Sequence, residues 1–188
     1  GEKGVVVNLK STNPENWSTE KPKHSSVMDT IIYELHIRDA SIHPESGIVH
    51  KGKYLGLAET GTTGPTGMGT GLDYIKSLGV THVQLLPMFD YATVDEADNE
   101  RLQYNWGYDP NHFNAPEGSY ATDPFDPKTR IKEMKQMIQS FHDQGLRVIM
   151  DVVYNHVYSV ENSSFNKLVP GYYFRYHNGQ LVNGTGVG

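Results

Sequence analysis

Cysteine is absent from this 188-residue chain, which excludes a disulfide framework and thiolate metal sites but leaves the compartment undecided. No apolar run approaches the length of a membrane span. The N-terminus lacks the charged, apolar and small-residue sections of a signal peptide. Lysine and arginine never cluster, and the formal charge is −6, so neither nucleic acid nor a membrane is an expected partner. None of the histidines forms a His-x-x-x-His or His-Glu-x-x-His pair, which argues against zinc. Compositional bias is missing too, which removes disordered and collagen-like readings. What remains is a mildly acidic soluble chain with room for one ordinary domain. Its twelve tyrosines supply flat amphipathic faces suited to neutral polymers.

Residues 1–28 read as a lead-in, with Val5-Val6-Val7 as a candidate edge strand and a polar, proline-containing stretch behind it. From residue 29 the pattern is regular. Ile31, Tyr33, Leu35 and Ile37 alternate with Glu34, His36 and Arg38, the period of a strand. After a Gly-rich loop, Thr70 reads as the cap of a helix carrying Leu72, Ile75 and Leu78 on one stripe, closed by Gly79. Residues 80–86 form a second strand, stopped by Pro87. A loop of about forty residues follows, a length whose usual reason is function. Asp126 and Pro127 then start a second helix with Ile131, Met134, Met137, Ile138 and Phe141 on its stripe, closed by Gly145. The third strand begins at Leu146 and reads as about eight residues long. The order β-α-β-α-β predicts a parallel sheet. Three such strands leave both sheet edges open, and a complete eight-stranded barrel takes about 250 residues, so the pattern predicts part of a larger fold.

Two stretches carry the chemistry. Asp151-Val152-Val153-Tyr154-Asn155-His156 leaves Asp, Asn and His at a strand's C-terminal end, where parallel α/β barrels present polar groups to substrates. Tyr104-Asn105-Trp106-Gly107-Tyr108-Asp109-Pro110 sits in the long loop. The first resembles the first conserved region of glycoside hydrolase family 13, the alpha-amylase family. The heptapeptide is similar to the signature of type I pullulanases within it. Ile32-Tyr33-Glu34-Leu35-His36-Ile37-Arg38-Asp39, Gly71-Leu72-Asp73-Tyr74 and residues 81–87 support the likeness, which covers nearly all of the chain from residue 13 onward.

The resemblance implies a partial (β/α)8 TIM barrel, strands one to three with their helices, over residues 29–188, residues 1–28 being a linker from a preceding domain. It implies hydrolysis of α-1,6-glucosidic links in pullulan and branched dextrins with retention, without a required cofactor and with calcium left open. His156 would hydrogen-bond the sugar before the scissile bond, Tyr108 would stack on that sugar with Asp109 beside it, and Trp106 would either touch substrate or shape the loop. Asp151 would support the site floor and Asn155 would be structural or near calcium. A retaining glycosidase also needs a nucleophile and an acid about 5 Å apart. In the family both lie in regions that would follow Gly188, so this chain is expected to carry no catalytic residue and to require the rest of the barrel as its partner. A glucan-binding role without hydrolysis is the alternative.

Other motifs are weaker. The Gly-rich stretch of residues 61–71 tempts a nucleotide-binding reading, but lacks the Gly-Lys-Ser/Thr of a phosphate loop and follows the first strand too late for a dinucleotide fingerprint. The acidic run of residues 95–100 lacks the glycine and closing glutamate of a calcium loop. Tyr172, Tyr173 and Phe174 read equally well as cleft wall or as ordinary loop core.

Overall fold

The computed structural model describes residues 3–98, 101 and 103–182. Asn99 and Glu100 of the acidic run and the Gly-rich end, residues 183–188, lie outside the described residues. Three parallel strands, β1 (Ile32–Leu35), β2 (His82–Leu85) and β3 (Arg147–Met150), form one sheet in that order. Ile32, His82 and Arg147 stand in register, as do Leu35, Leu85 and Met150 at the other end. Helix α1 (Gly71–Ser77) connects β1 to β2, and α2 (Pro127–Asp143) connects β2 to β3. The sheet is open, not a closed barrel, and β1 and β3 are its edges.

Alternation of side chains along each strand sorts the sheet into two faces. Leu35, Val83 and Leu85 are buried with Leu72 and Ile75 of α1 and Met137 and Phe141 of α2, and Tyr33, Val148 and Met150 pack against the same core. Ile32, Glu34, Gln84 and Ile149 occupy the opposite face, where Gln84 donates to Glu34 at 2.9 Å. Burying Phe141 completely removes an aromatic side chain from water, a contribution of about 1.5–3 kcal/mol. Asp126 caps α2 by accepting from Lys128 N at 3.0 Å, with Pro127 opening the helix as its fixed φ favours. Gly79 and Gly145 end the helical segments at φ of 72° and 82°.

Several expectations are corrected. Strand β3 has four residues and not about eight: Asp151 N still bonds to Leu85 O at 3.1 Å, and residues 151–154 have no regular structure. Thr70 precedes α1 but does not cap it with its side chain. Its hydroxyl donates to Ser46 O at 2.5 Å, and Asp73, one turn in, accepts from Gly61 N instead, so both polar groups tie the Gly-rich loop down. Val5, Val6 and Val7 lie in an irregular segment and not in a strand, with Val6 fully exposed. Beyond β3 the chain adds a short helix α3 (Ser164–Leu168) and a two-stranded hairpin, β4 (Tyr176–His177) with β5 (Gln180–Leu181).

The lead-in packs on α2. Lys135 donates to Leu9 O, Thr12 Oγ1 and Asn13 Oδ1 at 2.7–2.9 Å and lies over the Trp17 ring, while Gln139 accepts from Ser18 N at 2.8 Å. Arg147 reaches Pro22 O at 2.9 Å. Thr12 is fully buried.

Candidate functional site

The long loop after β2 is folded upon itself by two isolated bridges, Phe89 to Pro116 and Tyr91 to Pro110. Glu117 is its internal anchor. Fully buried, its carboxylate accepts from Tyr91 N at 3.2 Å and Ser119 N at 2.9 Å. Burial pushes this carboxyl up to about 7, against the pull of those two amides. Asp90, Glu96 and Glu117 bring carboxylate oxygens within 4.8 Å of one another. The positive charge there comes from Arg130, whose guanidinium grips both Glu96 oxygens at 2.7 and 2.8 Å. Burial opposes ionisation of Glu96, but the Arg130 pair wins and holds it below the ordinary carboxylate range. The acidic run is thus part of a loop clasp.

The heptapeptide lies across the ends of the strands, and two histidines hold its backbone. His36, just past β1, accepts from Asp39 N at Nδ1 (3.3 Å), which leaves the proton on Nε2 to donate to Asn105 O at 2.8 Å. His156, just past β3, donates Nε2–H to Tyr108 O at 2.8 Å. Its Nδ1 is buried and has no partner among the described residues. Within the loop, Asn105 Oδ1 accepts from Gly107 N at 2.7 Å. Gly107 has φ of 89°, and a Cβ there would stand 2.2 Å from Pro87 O, so only glycine lets the loop approach the end of β2 this closely.

Held in this way, Tyr108 turns its hydroxyl onto Asp151, donating at 2.7 Å. The Tyr108 hydroxyl is pushed up to about 12, first by burial and then by the Asp151 carboxylate it serves. Asp151 has no cation within ion-pair distance among the described residues. Asp109 accepts from Thr93 N at 3.1 Å and Thr93 Oγ1 at 2.7 Å through one oxygen, and its other oxygen is buried without a partner. Trp106 donates from its indole to the Tyr104 hydroxyl, which in turn donates to Asp39 at 3.1 Å. Both rings remain more than half exposed.

These groups surround an open cavity of about 480 Å³, lined by Thr93, Tyr104, Trp106, Tyr108, Asp109 and Tyr158 among others. Of the residues singled out in the sequence, Trp106, Tyr108 and Asp109 line it. Asp151 and His156 lie behind it, each bonded to Tyr108. Asn155 is exposed and makes no hydrogen bond among the described residues. His36 was overlooked because strict alternation puts it with Glu34 and Arg38 on a polar face. It is 7% exposed, also 3.0 Å from the buried Tyr120 hydroxyl. The signal available was its place at a strand's C-terminal end, the same place that marked His156.

Open aromatic surface, a carboxylate acceptor and neutral hydroxyls suit a polyhydroxylated neutral ligand. Comparison with known proteins identifies relatives of the chain. A family model described as alpha amylase, catalytic domain, matches residues 51–178. A pullulanase of Bacillus subtilis strain 168 is 55% identical over the whole chain, which spans 26% of that protein. The crystal structure of a pullulanase from Paenibacillus barengoltzii in complex with maltohexaose and alpha-cyclodextrin superposes with a TM-score of 0.90 at 59% identity, covering 93% of this chain and 27% of that one. A pullulanase from Bacillus acidopullulyticus gives a TM-score of 0.93 at 47% identity over all of this chain and 23% of its own. The chain therefore spans about a quarter of the length of the relatives it matches.

Proposed function

The chain belongs to the alpha-amylase catalytic-domain family, and from that premise we propose that it forms strands one to three of a glycosidase barrel whose complete protein hydrolyses α-1,6-glucosidic links in pullulan and branched α-glucans. The observation that carries this reading is the docking of the heptapeptide across the strand ends, with Tyr108 fixed between Asp151 and His156. Retention requires a carboxylate nucleophile and a carboxylic acid about 5 Å apart, and in this proposal other parts of the protein supply both.

Within that mechanism each residue here positions and none reacts. Asp151 takes the Tyr108 hydroxyl proton as a hydrogen bond, which fixes the tilt of the ring against one sugar face. The unpartnered oxygen of Asp109 accepts from a sugar hydroxyl, and Trp106 offers a second face. His156 holds the Tyr108 carbonyl through Nε2 and so fixes the backbone that carries the ring. No step in this scheme calls on a metal.

In the full-length protein, His156→Ala releases the Tyr108 backbone, and misplacement of a substrate-holding ring by about 1 Å costs on the order of a hundredfold in rate. Steady-state hydrolysis of pullulan measures it. Unchanged turnover in His156→Ala would remove the assigned role, and absence of reducing-sugar release by the parent protein would remove the activity.

A further inference from the structure

A second cavity, of about 400 Å³, is lined by residues that follow Pro110 in the chain and by residues 154 and 163–165. The two share one strip of chain: Tyr108 and Asp109 line the first, Asn111, His112, Phe113 and Asn114 the second. The turn after β3 is divided likewise, with Tyr158 in the first and Tyr154 in the second. The second cavity contains no Asp, Glu, Lys or Arg in its lining.

Its polar groups are oriented from behind. Asp90, 4% exposed, accepts from His112 Nδ1 at 2.5 Å and from Asn111 Nδ2 at 3.2 Å on the same oxygen. With Nδ1–H donated to Asp90, the ring turns Nε2 away from that carboxylate, and Nε2 makes no hydrogen bond among the described residues. Asn111 keeps its carbonyl oxygen. Asn114, held at φ of 63°, accepts from the Tyr154 hydroxyl at 2.7 Å and so keeps its amide protons. The apolar wall is aromatic: Phe113 meets Tyr154 edge-on at 5.4 Å and Phe165 at 5.8 Å, while Tyr154 is 57% exposed. Neutral acceptors and donors set beside an aromatic face match sugar hydroxyls and a pyranose face. The lining holds no Lys or Arg to balance a phosphate or a carboxylate.

We propose that this second cavity is a separate subsite for a glucosyl unit of an α-glucan, which stacks on Tyr154 and hydrogen-bonds to Nε2 of His112, an imidazole oriented by Asp90. The proposal rests on the glucan reading of the first cavity. It gives the strip of residues 108–114 a part in two sugar sites, one beside carboxylates and one whose lining holds no Asp, Glu, Lys or Arg.

Titration calorimetry of the full-length protein with maltotriose tests it. Tyr154→Ala and His112→Ala are each expected to weaken one class of sites by about tenfold or more, equivalent to about 1.4 kcal/mol. Tyr108→Ala is expected to weaken a different class and leave that one intact. Tyr154→Phe, which keeps the ring and drops only the bond to Asn114, is expected to bind maltotriose nearly as the parent does. If Tyr154→Ala and His112→Ala bind like the parent, the subsite is overturned. It is equally overturned if Tyr154→Phe loses as much as Tyr154→Ala, since the side chain would then be holding the loop and not a sugar. Pullulan hydrolysis by the parent separates these failures from failure of the function itself.

Discussion

On the helix side of the sheet, Leu35, Val83 and Leu85 are sealed beneath Leu72, Ile75, Met137 and Phe141. On the other side, Ile32 is 51% exposed, Glu34 is exposed, and Gln84 and Ile149 are only part-buried. Parallel sheets are ordinarily covered on both faces. The helix side is a finished core made by this chain alone. The other side has the character of a barrel interior, where more strands would close over Ile32 and Ile149, and it ends in the residues that hold the heptapeptide. Stability and function are therefore written on opposite faces of the same strands, one residue out of phase.

Substitutions can break that division. The largest expected effect is on the sealed side: Phe141→Ala removes a fully buried ring and should cost about 3–5 kcal/mol, read from denaturant unfolding of the full-length protein. Next is Gly107→Ala, where left-handed backbone and the contact with Pro87 O should impose strain of about 1–3 kcal/mol. Its signature is a fall in pullulan turnover well beyond the fall in stability, because the displaced loop carries Tyr108.

Glu117 sharpens the comparison through pH. Its carboxyl is raised from 4.5 to about 7 in the folded protein, so the folded state binds this proton more tightly than the unfolded chain does. The stability it contributes is fully present below 4.5 and is lost as pH rises through about 7. Glu117→Gln should flatten that part of the stability–pH curve, measured as unfolding midpoints across the interval, and an unchanged slope would place the titration elsewhere. The smallest effect is expected on the open face, where Ile32→Thr in the isolated chain should change stability by no more than about 0.5 kcal/mol. In the complete protein the same change should cost more, because there the face is covered.

Legibility followed the same division. Strands and helices that pack on one another announce themselves by period, and Met137 and Phe141 were placed correctly from their stripe. The heptapeptide was legible through family resemblance, and several of its residues line an open cavity. What periodicity could not show were contacts between residues far apart whose reason is hydrogen bonding. His36 reaches Asn105 across sixty-nine positions, and Lys135 reaches Leu9 across one hundred and twenty-six. Thr70 was misread for a related reason: a hydroxyl beside a helix start has a local use, and here a longer-range acceptor, Ser46 O, outcompetes it.

The binding of residues 9–18 to α2 also bears on the order of events during folding. Closing a loop of that length carries an entropic cost that grows with the logarithm of its length and is repaid only when both ends are in place. The parallel strands and α2 must exist before Lys135 and Gln139 have anything fixed to offer. The N-terminal segment, made before α2, is thus expected to dock after it, and contacts formed late chiefly govern the rate of unfolding. Lys135→Ala should quicken unfolding while leaving the refolding rate nearly unchanged, which makes the lead-in a latch on the lifetime of the native state.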